Sequence, residues 1–315
     1  MDGETAKLES EVAVLTGRTG GVATDSGTSA LLLALHALAL RRPLRRVAIP
    51  AYACRSLLFA VRAAGAEPLF IDTASDLRLD PNKAIEAGKR ADAIVLVHPF
   101  GMIEPLVTEQ WPCPVIEDIA QSAGAELSAT PVGNFGTLTV ASFYATKPWG
   151  GAMGGMVLGD DMQLLDRVRE MRLVDGADGN LPYAGNHQLS DLHAALARVR
   201  LTLAADEMAA RRRHAATIYG WFGGLRSQPV AGFDHGNHFR LILRTDDAAN
   251  AVFALNRQGI GATRPVDRTL AALVGNNSCP NAEAWQRHAL SLPLPADLSA
   301  SELAGMCAAV RECLP

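Results

Sequence analysis

Two residues in the middle of the chain have types and settings that could do chemistry together. Asp118 ends the apolar run Val115-Ile116-Glu117, and Lys147 follows the strand-like stretch Thr139-Val140-Ala141-Ser142-Phe143-Tyr144. A lysine amine can hold an aldehyde as a Schiff base, and a carboxylate facing a pyridine nitrogen keeps that ring protonated and electron-withdrawing. The pair points to a pyridoxal phosphate site, with Lys147 as the attachment point and Asp118 as the pyridine partner. Pro148 favours presentation of Lys147 from a strand end or loop, because the residue before a proline is pushed out of the helical region. A surface lysine and a solvated carboxylate is what any single pair must be weighed against. Here the neighbouring residues shift the balance toward chemistry.

A phosphate needs a cradle, and Asp25-Ser26-Gly27-Thr28-Ser29 stands directly before the apolar stretch 30–40. A helix start with a glycine and hydroxyls offers backbone N–H groups and the positive end of the helix dipole, although a plain Ser or Thr cap would read the same way. Neither G-x-x-x-x-G-K-[ST] nor G-x-G-x-x-G occurs, which disfavours a nucleotide P-loop and a nicotinamide-type fold. His98, after Ile94-Val95-Leu96-Val97, could face the same crevice, but a satisfied structural histidine is the commoner case. Arg240, Arg244 and Arg264 could offer a fork to a donor carboxylate, with packing or solvated roles commoner for any one of them.

Stepping outward, the elements that must position these groups alternate. Strands are expected at 47–49, 67–72, 94–97, 115–118 and 156–158. Helices are expected at 7–15, 30–40, 56–64, from the cap Asp80-Pro81 onward, and at 162–173. The Gly17–Gly21 stretch reads as a break between elements. This is an α/β pattern with a mostly parallel sheet flanked by helices, in which ligands collect outside the carboxyl ends of the strands. Residues 175–186 read as a Gly- and Asp-rich loop, and a long helix begins near Leu189. A boundary near 205 divides a large domain, 1–205, from a smaller α+β domain, 206–315. In the latter, 238–244 alternates as a half-exposed strand does, 247–258 is helical with Gly259 as its stop, and Ser299-Ala300-Ser301-Glu302 is a capping box.

Composition narrows the classes. The 315 residues are 49% apolar, enough for a large core. A net charge of −4 with interspersed signs leaves no footprint for nucleic acid or an anionic membrane. The run Arg211-Arg212-Arg213-His214 reads as a solvated helix face. Met1-Asp2-Gly3-Glu4 lacks the basic flank and apolar core of a signal peptide, and stretch 30–40 falls short of the roughly 20 residues of a membrane span. Five scattered cysteines without a C-x-x-C pair suggest reduced thiols in a cytoplasm, with neither a disulfide framework nor a metal site.

Taken together, several segments resemble the DegT/DnrJ/StrS sugar aminotransferases, pyridoxal phosphate enzymes of the aspartate aminotransferase fold. They are Ser26-Gly27-Thr28-Ser29-Ala30-Leu31, Ile49-Pro50-Ala51-Tyr52, Gly65-Ala66-Glu67-Pro68 with Ile71-Asp72, and Val97-His98-Pro99-Phe100-Gly101. Further on come Ile116-Glu117-Asp118-Ile119-Ala120-Gln121, Gly133-Asn134-Phe135-Gly136, Ser142-Phe143 with Lys147, Gly154-Gly155, and Asn186 with Ser190-Asp191-Leu192-His193-Ala194-Ala195. The resemblance implies that Lys147 carries the cofactor and shuttles a proton, and that Asp118 pairs with the pyridine nitrogen. It places Gln121 near the ring hydroxyl, gives the phosphate to Gly27, Thr28 and Ser142, and has Asn186 reach the phosphate of a neighbouring subunit in a homodimer. It further implies a ping-pong transfer from glutamate or glutamine to a keto sugar, most readily a nucleotide-linked one.

The chain departs from the family pattern at Met153, where a glutamate is usual, at Cys54, where a ring-stacking aromatic falls and Tyr52 is a nearby candidate for which simple packing is the commoner role, and at Gln188, where an arginine is usual. Its lead segment is also short. These leave room for a cyclitol or natural-product carbonyl acceptor, or for a degenerate member that binds without turnover. Sugar dehydratase relatives carry histidine in place of the lysine, and Lys147 argues against that branch.

Overall fold

The computed structural model describes residues 3–176, 179, 181, 183–221, 228–230 and 236–314. The first half alternates helix and strand: α1 (Glu4–Thr16), β1 (Gly20–Thr24), α2 (Gly27–Ala39), β2 (Arg46–Pro50), α3 (Arg55–Ala63), β3 (Glu67–Ile71), α4 (Pro81–Arg90), β4 (Ala93–Val97) and β5 (Val115–Asp118). A small hairpin, β6 (Glu126–Leu127) and β7 (Thr130–Pro131), precedes β8 (Leu138–Ser142), β9 (Gly155–Gly159) and α5 (Met162–Met171). A single helix, α6 (Asp191–Trp221), then crosses to β10 (Gln228–Pro229), β11 (Leu241–Arg244), α7 (Ala248–Arg257), α8 (Leu270–Leu273), α9 (Pro280–His288), β12 (Ala289–Leu292) and α10 (Ala300–Cys313).

Seven strands form the main sheet in the order β1-β9-β8-β5-β4-β2-β3. The five from β8 to β3 run parallel, β9 lies antiparallel beside β8, and β1, antiparallel to β9, runs in the direction of the five. The expected α/β class with a mostly parallel sheet is what forms. Alternating side chains feed two cores, as the pleat requires. Val47, Ile49, Val95 and Val157 pack under α2, α3 and α5, whereas Met156 and Leu158 pack under α1 and α6 and Ala48, Ile94 and Leu96 under α4.

Two readings need correction. The break read at Gly17–Gly21 is confined to its first part: Gly17 ends α1 at φ +68°, whereas Gly20 and Gly21 open β1. A Cβ on Gly21 would stand 2.8 Å from the Met156 sulfur, so packing across the sheet selects glycine there. β11 is not half exposed. Leu241 and Leu243 enter the core of the second lobe, and Ile242 on the opposite face is buried with Tyr52, Phe100 and Trp285. The period of two was correct, but its second face meets the large lobe instead of water.

The second sheet is antiparallel, β10-β11-β12, packed on α7, α10 and the last turns of α6 through Ala215 and Ile218. Ser299 and Glu302 form the expected reciprocal cap on α10, and Gly259 ends α7 at φ +78°. Of the 175–186 loop, residues 177, 178, 180 and 182 lie outside the described residues, and Val174–Gly176 is a 3-10 turn. Among the described residues, no helix is long and apolar enough to cross a membrane, and no cluster of His, Cys, Asp and Glu could hold a metal.

Candidate active site

β5 ends in two consecutive carboxylates that its pleat sends to opposite faces. Glu117 is wholly buried and accepts four hydrogen bonds, from the N–H groups of Gly133 (2.6 Å), Phe135 (2.9 Å) and Gly136 (3.1 Å) and from His98 Nε2 (3.0 Å). The His98 ring is bonded on both sides, since its Nδ1 accepts from the Glu104 N–H at 2.9 Å. His98 is therefore a structural residue. With these donors the Glu117 carboxyl sits below its ordinary range, despite burial that opposes the shift. Arg18 braces the loop that supplies the donors, giving Nε to the Gly133 carbonyl, Nη2 to Gly136 (2.6 Å) and Nη1 to Asp160 (2.7 Å). Arg18→Ala strands the Gly136 carbonyl and leaves that of Gly133 to the Thr139 hydroxyl alone, and it is expected to cost about 1–3 kcal/mol, read as a lowered urea midpoint with an unchanged slope.

Asp118 faces the other way, into a cavity. Its carboxylate accepts the Ala120 N–H at 2.9 Å, and burial raises its pKa against the pull of that bond and of the charge on Lys147. Lys147 lines the same cavity. β8 stops at Ser142, so Lys147 comes five residues later in a tight turn, with its N–H on the Tyr144 carbonyl (2.8 Å) and its own carbonyl taking the Gly150 N–H (2.8 Å). Burial depresses its amine below the usual lysine range, with Asp118 pulling the other way and Arg240 adding to the depression. A depressed amine is a better nucleophile at neutral pH.

The start of α2 forms another wall. Ser26 caps the helix through its Oγ, which accepts the Ser29 N–H at 3.1 Å, and the first-turn N–H groups have no acceptor within the helix. A Cβ on Gly27 would stand 3.0 Å from the Ser142 Cβ, so glycine lets the strand end and the helix start close on each other. Gln121 completes the floor. Its Oε1 accepts the Phe100 N–H at 2.6 Å, which fixes the amide orientation and leaves Nε2 as a donor.

One cavity of about 440 Å³ thus gathers Gly27, Thr28, Asp118, Gln121, Ser142 and Lys147. Asn186 is exposed and is not part of its lining, although the next residue, His187, accepts the Asp25 N–H at 2.9 Å and ties that segment beside the cradle. The residues fit pyridoxal phosphate. A buried carboxylate holding a single backbone N–H suits a pyridinium, and a glycine at a capped helix start permits the close approach that a phosphate needs. Of the departures, Cys54 is exposed at the cap of α3 and Met153 is half exposed, both on the cavity wall. Tyr52 is buried, edge-on to Phe100 at 6.1 Å.

Sequence reasoning passed over Glu104, a buried carboxylate on the cavity wall that accepts the Leu79 and Leu106 N–H groups. It also passed over Asn237, whose Nδ2 grips the carbonyls of Gln121 and Ala123 at 3.1 Å. The only local signal for Asn237 is Gly236-Asn237, a turn dipeptide.

The DegT/DnrJ/EryC1/StrS aminotransferase family model matches residues 2–311. A UDP-N-acetyl-3-dehydro-alpha-D-glucosamine 3-aminotransferase from Acidithiobacillus ferrooxidans is 32% identical over 98% of this chain and 88% of its own. A pleiotropic regulatory protein from Geobacillus stearothermophilus is 28% identical over 91% and 83%. Among solved structures, DesV of S. venezuelae in complex with a ketimine intermediate superposes with a TM-score of 0.90 at 26% identity, covering 99% of this chain and 89% of that one.

Proposed function

Because the chain belongs to the DegT/DnrJ/EryC1/StrS aminotransferase family and is a pyridoxal phosphate enzyme, we propose that it moves an amino group from glutamate or glutamine to a keto sugar joined to a nucleotide. The observation that carries the reading is the meeting of Lys147, Asp118, Ser142 and the start of α2 in one cavity. When bound, the cofactor supplies an electron sink for the bond changes at the substrate carbon. Lys147 attaches it and, once released, moves the proton. Asp118 holds the ring nitrogen's proton, Gln121 donates to the ring oxygen, and Gly27, Thr28 and Ser142 hold the phosphate. Arg55 and Arg268, exposed at the rim of the same cavity, offer charge to a diphosphate. The relative from Acidithiobacillus, named for a nucleotide sugar, supports that acceptor class.

Met153 in the wall, apolar where the family pattern has a carboxylate, favours a second acceptor class: a cyclitol or another natural-product carbonyl compound. The five free cysteines agree with a cytoplasmic setting. Incubation with pyridoxal phosphate and either [15N]glutamate or amide-labelled glutamine tests the assignment, with UDP-linked 3-keto sugars and keto-inositol as acceptors and mass spectrometry of the products. Label in a nucleotide sugar supports the first reading and label in the cyclitol the second. A cofactor that no donor converts leaves a binding protein without turnover.

A homodimer with shared sites belongs to the same proposal. α6 exposes Leu192, Leu196, Val199 and Leu203, spaced 4, 3 and 4, with Val14 of the adjacent α1 80% exposed. A stripe of this spacing on a polar helix is an association face, and Asn186 stands shortly before it, where it could reach a neighbour's phosphate. The double substitution L196E/V199E is expected to weaken self-association at least tenfold in sedimentation equilibrium. A variant that sediments like the parent chain would remove this face from the interface.

A further inference from the structure

A second cavity, about 760 Å³, opens between the two lobes and shares Phe100, Gln121, Lys147, Pro265 and Asp267 with the first. Apart from Thr146, its remaining wall comes from the second lobe, including Phe239, Arg240, Asn256, Thr263 and Arg264. The Phe239 ring meets two cations, with Lys147 Nζ 5.5 Å and Arg240 Cζ 5.4 Å from its centroid. Three arginines come from this region of the chain, and their surroundings separate them. Arg244 lies over Trp285 at a different surface pocket. Arg264 has Asp267 at 3.8 Å, and both side chains are solvated. Arg240 is half-buried, burial lowers its pKa, and its guanidinium lies against the Phe239 ring with no carboxylate and no hydrogen-bond acceptor among the described residues.

A guanidinium held out of water without a counter-ion is costly and selects an anion, and its planar fork matches a carboxylate. Resting on the proposed amino transfer, we infer that the interlobe cavity is the amino-donor chamber and that Arg240 fixes the donor's carboxylate beside Lys147. The chamber selects donors by that anion: a free amino acid is held by Arg240, and an amine without a carboxylate is not. The same placement links binding to proton affinity. Arg240 depresses the Lys147 amine in the empty site, and a carboxylate seated on the guanidinium offsets that field.

Two measurements on the cofactor-loaded enzyme test the inference. Glutarate carries carboxylates but no amine, so its binding, followed by calorimetry, reads the subsite without turnover. It is expected to weaken at least tenfold in Arg240→Gln, to return in part in Arg240→Lys, and to be unaffected in Arg244→Gln. In the half-reaction, Arg240→Gln is expected to lower kcat/KM for glutamate about a hundredfold, chiefly through KM, and to lower conversion by benzylamine, which feels only the altered field on Lys147, at least tenfold less than that. Equal losses for glutamate and benzylamine, or glutarate binding that ignores Arg240, overturn the inference. If no amine converts the cofactor in the parent enzyme, the amino-transfer reading fails, and the glutarate titration still decides whether Arg240 holds a carboxylate.

Discussion

Lys147→Ala is expected to abolish covalent cofactor retention and to lower amino transfer by at least ~10⁴-fold. General acid–base catalysis alone contributes about 10²–10⁴-fold, and the variant also loses the amine that attaches the cofactor. The expected observation is a missing absorption band when pyridoxal phosphate is added. Borohydride reduction followed by peptide mapping then finds the cofactor on the Lys147 peptide in the parent chain and on no peptide in the variant. An adduct that maps to another of the chain's lysines would refute the assignment. The tight turn between Tyr144 and Gly150 holds Lys147 by two backbone hydrogen bonds at 2.8 Å. The variant should therefore fold, and its loss of function should come without loss of stability.

Asp118→Asn should separate binding from folding. Removing one partner of a buried ion pair costs about 3–5 kcal/mol, and at about 1.4 kcal/mol per decade cofactor affinity should fall by roughly two to three and a half orders of magnitude. Without cofactor the sign reverses. Burial raises the Asp118 pKa, so in the window between its ordinary and its raised value the folded apoprotein binds more protons than the unfolded chain, and stability declines as pH rises through that window. Asparagine carries no such charge. The apo variant should match the parent at acid pH and exceed it once pH passes the raised pKa, as followed by thermal melts across pH. An apo variant less stable than the parent at neutral pH would make Asp118 a structural residue like Glu117.

What the sequence could show was whatever depends on neighbours along the chain. Asp118, Ser142 and the Ser26-Gly27-Thr28 start all sit at ends of strongly patterned elements, and element ends are where a parallel sheet gathers ligands. Lys147 was legible as a lysine placed beyond a strand, though not as the hub of a turn. The four-donor cage of Glu117 was hidden because Arg18, Gly133 and His98 are brought together only by the fold. Arg240, Arg244 and Arg264 were equivalent in sequence. Burial and pairing distinguish them, and those follow from how β11 is covered on both faces. Asn237 and His238 adjoin a turn whose His238 has φ +51°, a conformation that their local sequence does not announce.

α6 has a mechanical consequence. At 31 residues it is a rod about 46 Å long, whose first turns carry the apolar stripe and whose last turns enter the core of the second lobe through Ala215 and Ile218. A girder of that stiffness lets neither end swing alone. In a dimer seated on the stripe, both second lobes are cantilevered from one shared seam, so loosening the seam should widen the spread of lobe positions and blur the spacing between Arg240 and Lys147 in each subunit.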